Sequence, residues 1–242
     1  MRNIFMSLLA GMSLLSVCAT SALAEFSAAE KSELNALFES YIKENPDIVR
    51  QALIDLADAE EQAQRAQAMM MLDRNDGDPF IGAGDDADII IYEFSDYNCG
   101  YCKRVFKSLQ QVLADDPKVR LILKEYPILA ESSVEAARAA IAAQRQGKFE
   151  AFHIGMMTWR GGISSDSILS VAAEAGLDID RLRDDMQDNV VNNIIARTRA
   201  TAQALNVSGT PALIIGTEFI GGAVDAGQIK QVIAEQRAAK GL

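Results

Sequence analysis

Cys99 and Cys102 stand two residues apart, and Cys18 is the only other cysteine in the 242 residues. A disulfide closing so short a loop removes little freedom from the unfolded chain, so a structural staple is a poor use of this spacing. Redox exchange and metal binding are the chemistries left. The flanking residues favour exchange. Asp88–Phe94 is a β-branched and aromatic run that predicts a buried strand. Ser95-Asp-Tyr-Asn98 is turn chemistry, and Lys103–Ala114 has helical periodicity through Val105, Phe106, Leu109, Val112 and Leu113. The cysteines therefore open a helix, where unpaired N–H groups and the positive dipole end stabilise a thiolate. In such motifs the leading thiol falls from about 8.5 into the range of ~3.5–7.5. Three-residue spacing keeps the second thiol on the same helical face. Cys99 reads as the attacking thiol and Cys102 as the one that resolves the mixed disulfide.

Two charges lie inside apolar strands: Glu93 in Ile89–Phe94, and Lys124 in Val119–Tyr126. Strand alternation can simply point both at solvent. Alternatively, a partly buried acid relays protons to and from Cys102, with its pKa raised by desolvation. His153 is the only histidine and has no ligand companions at motif spacing, so it reads as a packed helix residue. Trp159, Met156 and Met157 read as core. No cofactor or metal is expected.

The elements that must position the pair are mixed α/β. Ser132-x-x-Glu135 predicts a capping box opening an Ala-rich helix that stops near Gly147. Helical patterns follow at Phe149–Thr158, Ser164–Ala175, Asp178–Gln187 and Val190–Leu205. Short strands are predicted at Ala212–Ile215 and Glu218–Ile220, then a last helix near Ala226–Gln236. Read alone, Pro211 is as well the first residue of a strand.

Residues 1–24 read as a secretory signal: Arg2 is the only charge, Ile4–Val17 is largely apolar, and Ala22-Leu-Ala24 predicts cleavage after Ala24. A lipoprotein signal using Cys18 fits poorly, because Val17 stands where a small residue is wanted. The composition, 49% hydrophobic and 24% charged, rules out collagen-like and globally disordered chains. The net charge of −11 argues against nucleic acid and anionic membrane as charge-driven partners.

With the strand, Cys99-Gly-Tyr-Cys102, the helix and the distant Gly209-Thr-Pro211, the sequence resembles thioredoxin-like oxidoreductases of the bacterial disulfide-bond system. It is most similar to DsbA-like proteins of the suppressor-of-copper-sensitivity C (ScsC) type, over roughly Asp88 to Gln236, with Phe94–Lys103 the most specific stretch. The resemblance implies a thioredoxin-like fold over 89–240 with a helical insertion at about 131–205. It implies a cis-proline at Pro211 beside the active-site pair, a tuning role for Thr210 before it, and the family's acidic position at Glu93. Lys124 is a weaker carry-over. It also implies a periplasmic protein acting on misfolded or disulfide-bearing clients, kept reduced by a membrane thiol reductase of the ScsB or DsbD type.

The stretch 25–72 reads as a helical arm. Ser27-x-x-Glu30 is a capping box, and Leu34, Leu37, Phe38, Tyr41 and Ile42 form one apolar face. Asn45-Pro46 starts a second helix whose stripe continues through Ile48, Val49, Ala52, Leu53 and Leu56. Asp73–Asp88, with six Asp, three Gly and one Pro, reads as a solvated linker. The stripe can dock on its own domain or self-associate; the resemblance to the trimerising stalk of some ScsC-type proteins, carried by Tyr41–Pro46, implies a homo-oligomer, most simply a trimer.

Gly100-Tyr101 and Thr210 are similar to isomerase-type enzymes of this system, so a disulfide isomerase or reductase is the leading expectation. A DsbA-like dithiol oxidase is the main alternative. A copper-binding role is another, because paired thiolates suit Cu(I).

Overall fold

The computed structural model describes residues 26–74 and 76–242; the expected signal segment and its cleavage site lie outside them. The described chain divides into two units, with the boundary between Asp58 and Ala59.

In the first unit, α1 (Ala28–Glu44) opens on the expected capping box: Ser27 accepts from the Glu30 N–H, and the Glu30 carboxylate accepts from the Ser27 N–H. Lys43 pairs with Glu39 one turn away. α2 (Pro46–Asp73) begins at the proline, whose missing N–H costs nothing in a first turn. α1 buries no residue, and Leu37, Phe38, Ile48, Leu53 and Leu56 are all exposed.

The second unit holds the rest of α2 and a sheet of β1 (Phe80–Gly82), β2 (Ile89–Ser95), β3 (Val119–Glu125), β4 (Ala212–Ile215) and β5 (Glu218–Gly221), in the order β1-β3-β2-β4-β5. β2 and β3 run parallel, joined through α3 (Gly100–Asp115), and the other pairs are antiparallel. Strand alternation sorts the apolar residues onto two faces. Ile89, Ile91, Leu121, Leu123, Leu213 and Ile215 pack with α3, α5 (Phe149–Thr158) and α9 (Ala226–Lys240). Tyr92, Phe94, Ile122, Ala212 and Ile214 face the other way, against Leu72 of α2 and Ala202 of α8 (Asn189–Ala204).

Between β3 and β4 lies the expected helical block, comprising α4 (Glu131–Arg145), α5, α6 (Ser165–Glu174), α7 (Ile179–Gln187) and α8. Its centre is α4, whose Ala136, Ala137, Ala139, Ala140, Ala142 and Ala143 are all buried. Small side chains let α5, α6, α7 and α8 approach it closely.

Three expectations are corrected here. The segment 73–88 is not a linker: it contains β1, paired to β3 from Phe80↔Ile122 to Gly82↔Arg120, and Asp78 is buried. Gly82 at φ 93° lets the edge strand lie against the Val119 carbonyl, which a Cβ would meet at 2.5 Å. The arm also ends earlier than expected, because Ala68 and Leu72 are buried residues of the second unit. The acidic composition concealed the strand, since Asp78, Asp85, Asp86 and Asp88, which imply solvation, serve as ion-pair partners. The Ser132/Glu135 capping box does not form either. α4 starts two residues earlier, from Ala130 without a side-chain cap, and its serines are used elsewhere.

Candidate active site

The turn between β2 and α3 is built around Asp96. Its Oδ1 accepts from the Asn98 N–H at 2.8 Å and the Ser133 hydroxyl at 2.7 Å, and its Oδ2 accepts from the N–H groups of Ile128 and Leu129 at 2.9 and 3.0 Å. Its backbone carbonyl accepts from the Cys99 N–H at 2.9 Å. Asn98 Nδ2 donates to Ser132 and Ser133 Oγ at 3.0 and 2.9 Å. These bonds tie the cysteine turn to the start of α4 and to the loop that leads into it from β3. Sequence reading took Asp96 only as turn chemistry and missed this positioning role; an Asp at the head of a Ser-Asp-x-Asn turn before a helix was the available signal.

Cys99 is the N-cap of α3, and its sulfur accepts from the Cys102 N–H at 3.4 Å. The same Sγ lies 3.3 Å from the carbonyl oxygen of Thr210. Thr210-Pro211 is a cis peptide, and Pro211 leads directly into β4. Both cysteines are free thiols; Cys99 keeps 6% of its surface and Cys102 none. Thus Cys99, Cys102, Thr210 and Pro211 meet in one place, though 111 residues separate Cys99 from Thr210.

Glu93 is buried rather than turned to solvent. The register of Glu93↔Leu213 and Glu93↔Leu123 puts it on the sheet face that packs against α3. Burial pushes its carboxyl up to about 8. Cys102 is also held well above the ordinary thiol range, first by burial and then by the negative charge of Glu93. Glu93 Oε1 has no hydrogen-bond partner. Lys124 is equally buried but on the opposite face, in register with Phe94, where it pairs with Asp78 and stands over the Tyr92 ring at 5.4 Å. It is a structural ion-pair residue, away from the sulfurs.

Behind the turn, the Tyr97 hydroxyl donates to Glu125 Oε1 at 3.2 Å and meets His153 Nδ1 at 2.9 Å. Burial raises Tyr97 and Glu125 and lowers His153 to about 3. His153 packs against the rings of Tyr97, Phe106 and Phe149, as a core histidine should. The two cysteines supply soft sulfur donors; among the described residues no group of three or more His, Cys, Asp or Glu gathers at metal-binding distance. Also among the described residues, no helix is long and apolar enough to cross a membrane.

Comparison with known proteins places similar folds beside this chain. A thioredoxin-like oxidoreductase from Silicibacter pomeroyi DSS-3 is 39% identical, with a TM-score of 0.65 over 67% of this chain and 93% of that one. A periplasmic thioredoxin-like protein from Salmonella enterica serovar Typhimurium is 32% identical, with a TM-score of 0.64 over 71% and 97%. The catalytic domain of Proteus mirabilis ScsC is 28% identical, with a TM-score of 0.66 over 73% and 98%. The chain spans a fifth to a quarter of the length of the curated relatives it matches, Na(+)/H(+) antiporters of the NhaA type, such as that of Salinispora tropica at 28% identity over 132 residues, 54% of this chain and 20% of that protein. The DSBA-like thioredoxin domain matches residues 90–234, and the chain belongs to that family.

Proposed function

We propose that the protein is an exported thiol-disulfide oxidoreductase that acts on client proteins as a disulfide isomerase or reductase. The observation that carries this reading is the placement of Cys99. Its sulfur caps α3, borders the Thr210 carbonyl, and has Cys102 directly behind it. In the proposed cycle the Cys99 thiolate attacks a client disulfide, forming a Cys99–client bond and releasing the client's other thiol. If a different client thiol attacks the client sulfur of that bond, a rearranged client disulfide forms and the Cys99 thiolate leaves, with no net redox change. If instead Cys102 attacks Cys99, the client leaves as a dithiol, and the two electrons it gains leave a Cys99–Cys102 disulfide. Glu93, buried on the sheet face below α3, takes the Cys102 proton in that step. Thr210 and Pro211 border the sulfur on the client side.

Returning the pair to the dithiol needs two electrons from another protein, for which a membrane thiol reductase of the ScsB or DsbD type is the candidate. The expected signal segment and the periplasmic Salmonella relative support a periplasmic location. The isomerase form of the reading rests on Gly100-Tyr101 and Thr210, and on the exposed stripe of the first unit, through which we propose a homotrimer. Several linked sites raise the effective concentration of a second dithiol around one bound client.

The test pairs light scattering with refolding of a scrambled disulfide substrate, for the parent and for Leu53→Asp/Leu56→Asp. The parent should be oligomeric and isomerise, and the variant should be monomeric and lose isomerisation while still reducing a small disulfide. A monomeric parent that only oxidises reduced clients would support the oxidase alternative instead.

A further inference from the structure

One face of α3 carries the adjacent Lys103 and Arg104 and, one turn on, Lys107, opposite the buried face of Cys102, Val105, Phe106 and Leu109. Arg160 follows α5 and borders the same groove, of about 380 Å³, floored by Met157 and Trp159. Lys103 is half-buried and donates to the Trp159 carbonyl at 3.0 Å, while Arg104 stacks over the Tyr101 ring at 4.8 Å. No Asp or Glu lines the groove, and none of the four cations has a carboxylate partner among the described residues. In this chain of 34 acids and 23 bases, Lys118, Arg120, Lys124, Arg145, Lys230 and Arg237 have carboxylate partners, whereas these four cations are gathered in one place without any. Like charges so gathered repel one another, so leaving them unpaired stabilises nothing in the free protein.

The groove starts at Gly100, the residue after Cys99. From Gly100 to Lys107 the helix rises about 10 Å at ~1.5 Å per residue, the length of about three extended residues. The cations thus lie within reach of the next few residues of a polypeptide whose cysteine sits at the Cys99 sulfur. We infer that this groove selects client polypeptides with acidic side chains within about four positions of the reacting cysteine, their apolar neighbours resting on Met157 and Trp159. The inference rests on Cys99 being the attacking thiol. Facing charges of opposite sign raise encounter rates by about 10–10³-fold in low salt.

The test uses the full mature protein in its dithiol form and single-turnover reduction of two peptide disulfides, identical except for Asp-Glu or Lys-Lys beside the cysteine. Each rate is divided by the same protein's rate with the neutral bis(2-hydroxyethyl) disulfide. At low salt the acidic peptide should react about tenfold faster than the basic one. In about 1 M salt, where the screening length is ~3 Å, the ratio should fall below about twofold. Lys107→Glu/Arg160→Glu should invert the preference, and Lys107→Gln/Arg160→Gln should remove it. Equal normalised rates for the two peptides, at a normal rate with the neutral disulfide, overturn the groove and leave the chemistry standing. No reaction with the neutral disulfide overturns the Cys99 reading itself. Sedimentation with phosphatidylglycerol vesicles, without peptide preference, would reassign the cations to a lipid surface and also overturn the inference.

Discussion

Lys124 and Asp78 form an ion pair with both side chains out of solvent, Nζ to Oδ2 at 2.5 Å. It joins the centre of the sheet to a segment whose composition reads as linker. Asp78 also takes Arg197 of α8 at 3.1 Å, so one carboxylate serves two cations. Removing one partner of a buried pair strands the other charge and costs about 3–5 kcal/mol. Asp78→Ala should therefore lower stability by that amount in urea unfolding. Lys124→Met should cost clearly less, because Asp78 keeps Arg197. Equal losses would contradict the shared-carboxylate arrangement.

Glu93 sets a pH dependence. Its folded pKa of about 8 lies above the ordinary 4.5, so the native state holds a proton there that the unfolded chain releases. That contribution is fully present below about pH 4.5 and is lost as pH rises through 8. Glu93→Gln should gain stability relative to the parent across this window, and parallel stability curves would count against burial as the cause. The same change removes the charge that raises Cys102, so the Cys102 thiolate, followed by its ultraviolet absorbance, should form at lower pH. If Glu93 is the proton acceptor, resolution of mixed disulfides should slow by about 10²-fold and lose its inflection near pH 8.

The cysteines separate by role. Cys99→Ser should abolish exchange, because the remaining thiol is fully buried. Cys102→Ser should accumulate client adducts on non-reducing gels, since an attacking sulfur remains with nothing to release it. Wild-type turnover by Cys102→Ser would reverse the assignment.

His153 predicts acid sensitivity. Burial lowers it to about 3 from 6.5, so the unfolded chain binds a proton that the native state refuses. The stability this histidine lends is present above about pH 6.5 and is lost as pH falls toward 3. His153→Phe should flatten that acid limb in urea unfolding, at the expense of the Tyr97 bond. An unchanged limb would show that other groups control it.

Much of the site was legible without coordinates. The β-branched run of β2, the Cys99-Gly-Tyr-Cys102 turn and the amphipathic α3 are local features, set by side-chain shape, alternation and capping within a dozen residues. β4 falls at the residues its pattern predicts, and α5 to α9 start within one residue of theirs. Asp96 and β1 were not legible, because their meaning depends on partners about 30 to 40 residues away.

Residue types and short spacings by themselves determined that two thiols open a helix, with Cys99 at its cap and Cys102 in its first turn, because a helix N-terminus is a local object. The tertiary structure alone decided how the two buried charges divide. Parallel pairing of β2 with β3 puts Glu93 on the α3 side and Lys124 on the other, and a one-residue shift in register would bring both to the same face. It also decided that Thr210 meets Cys99, since only closure of β4 onto β2 brings that carbonyl to the sulfur. Register and chain closure are long-range choices made by the packing of whole faces, and no window of sequence contains both partners.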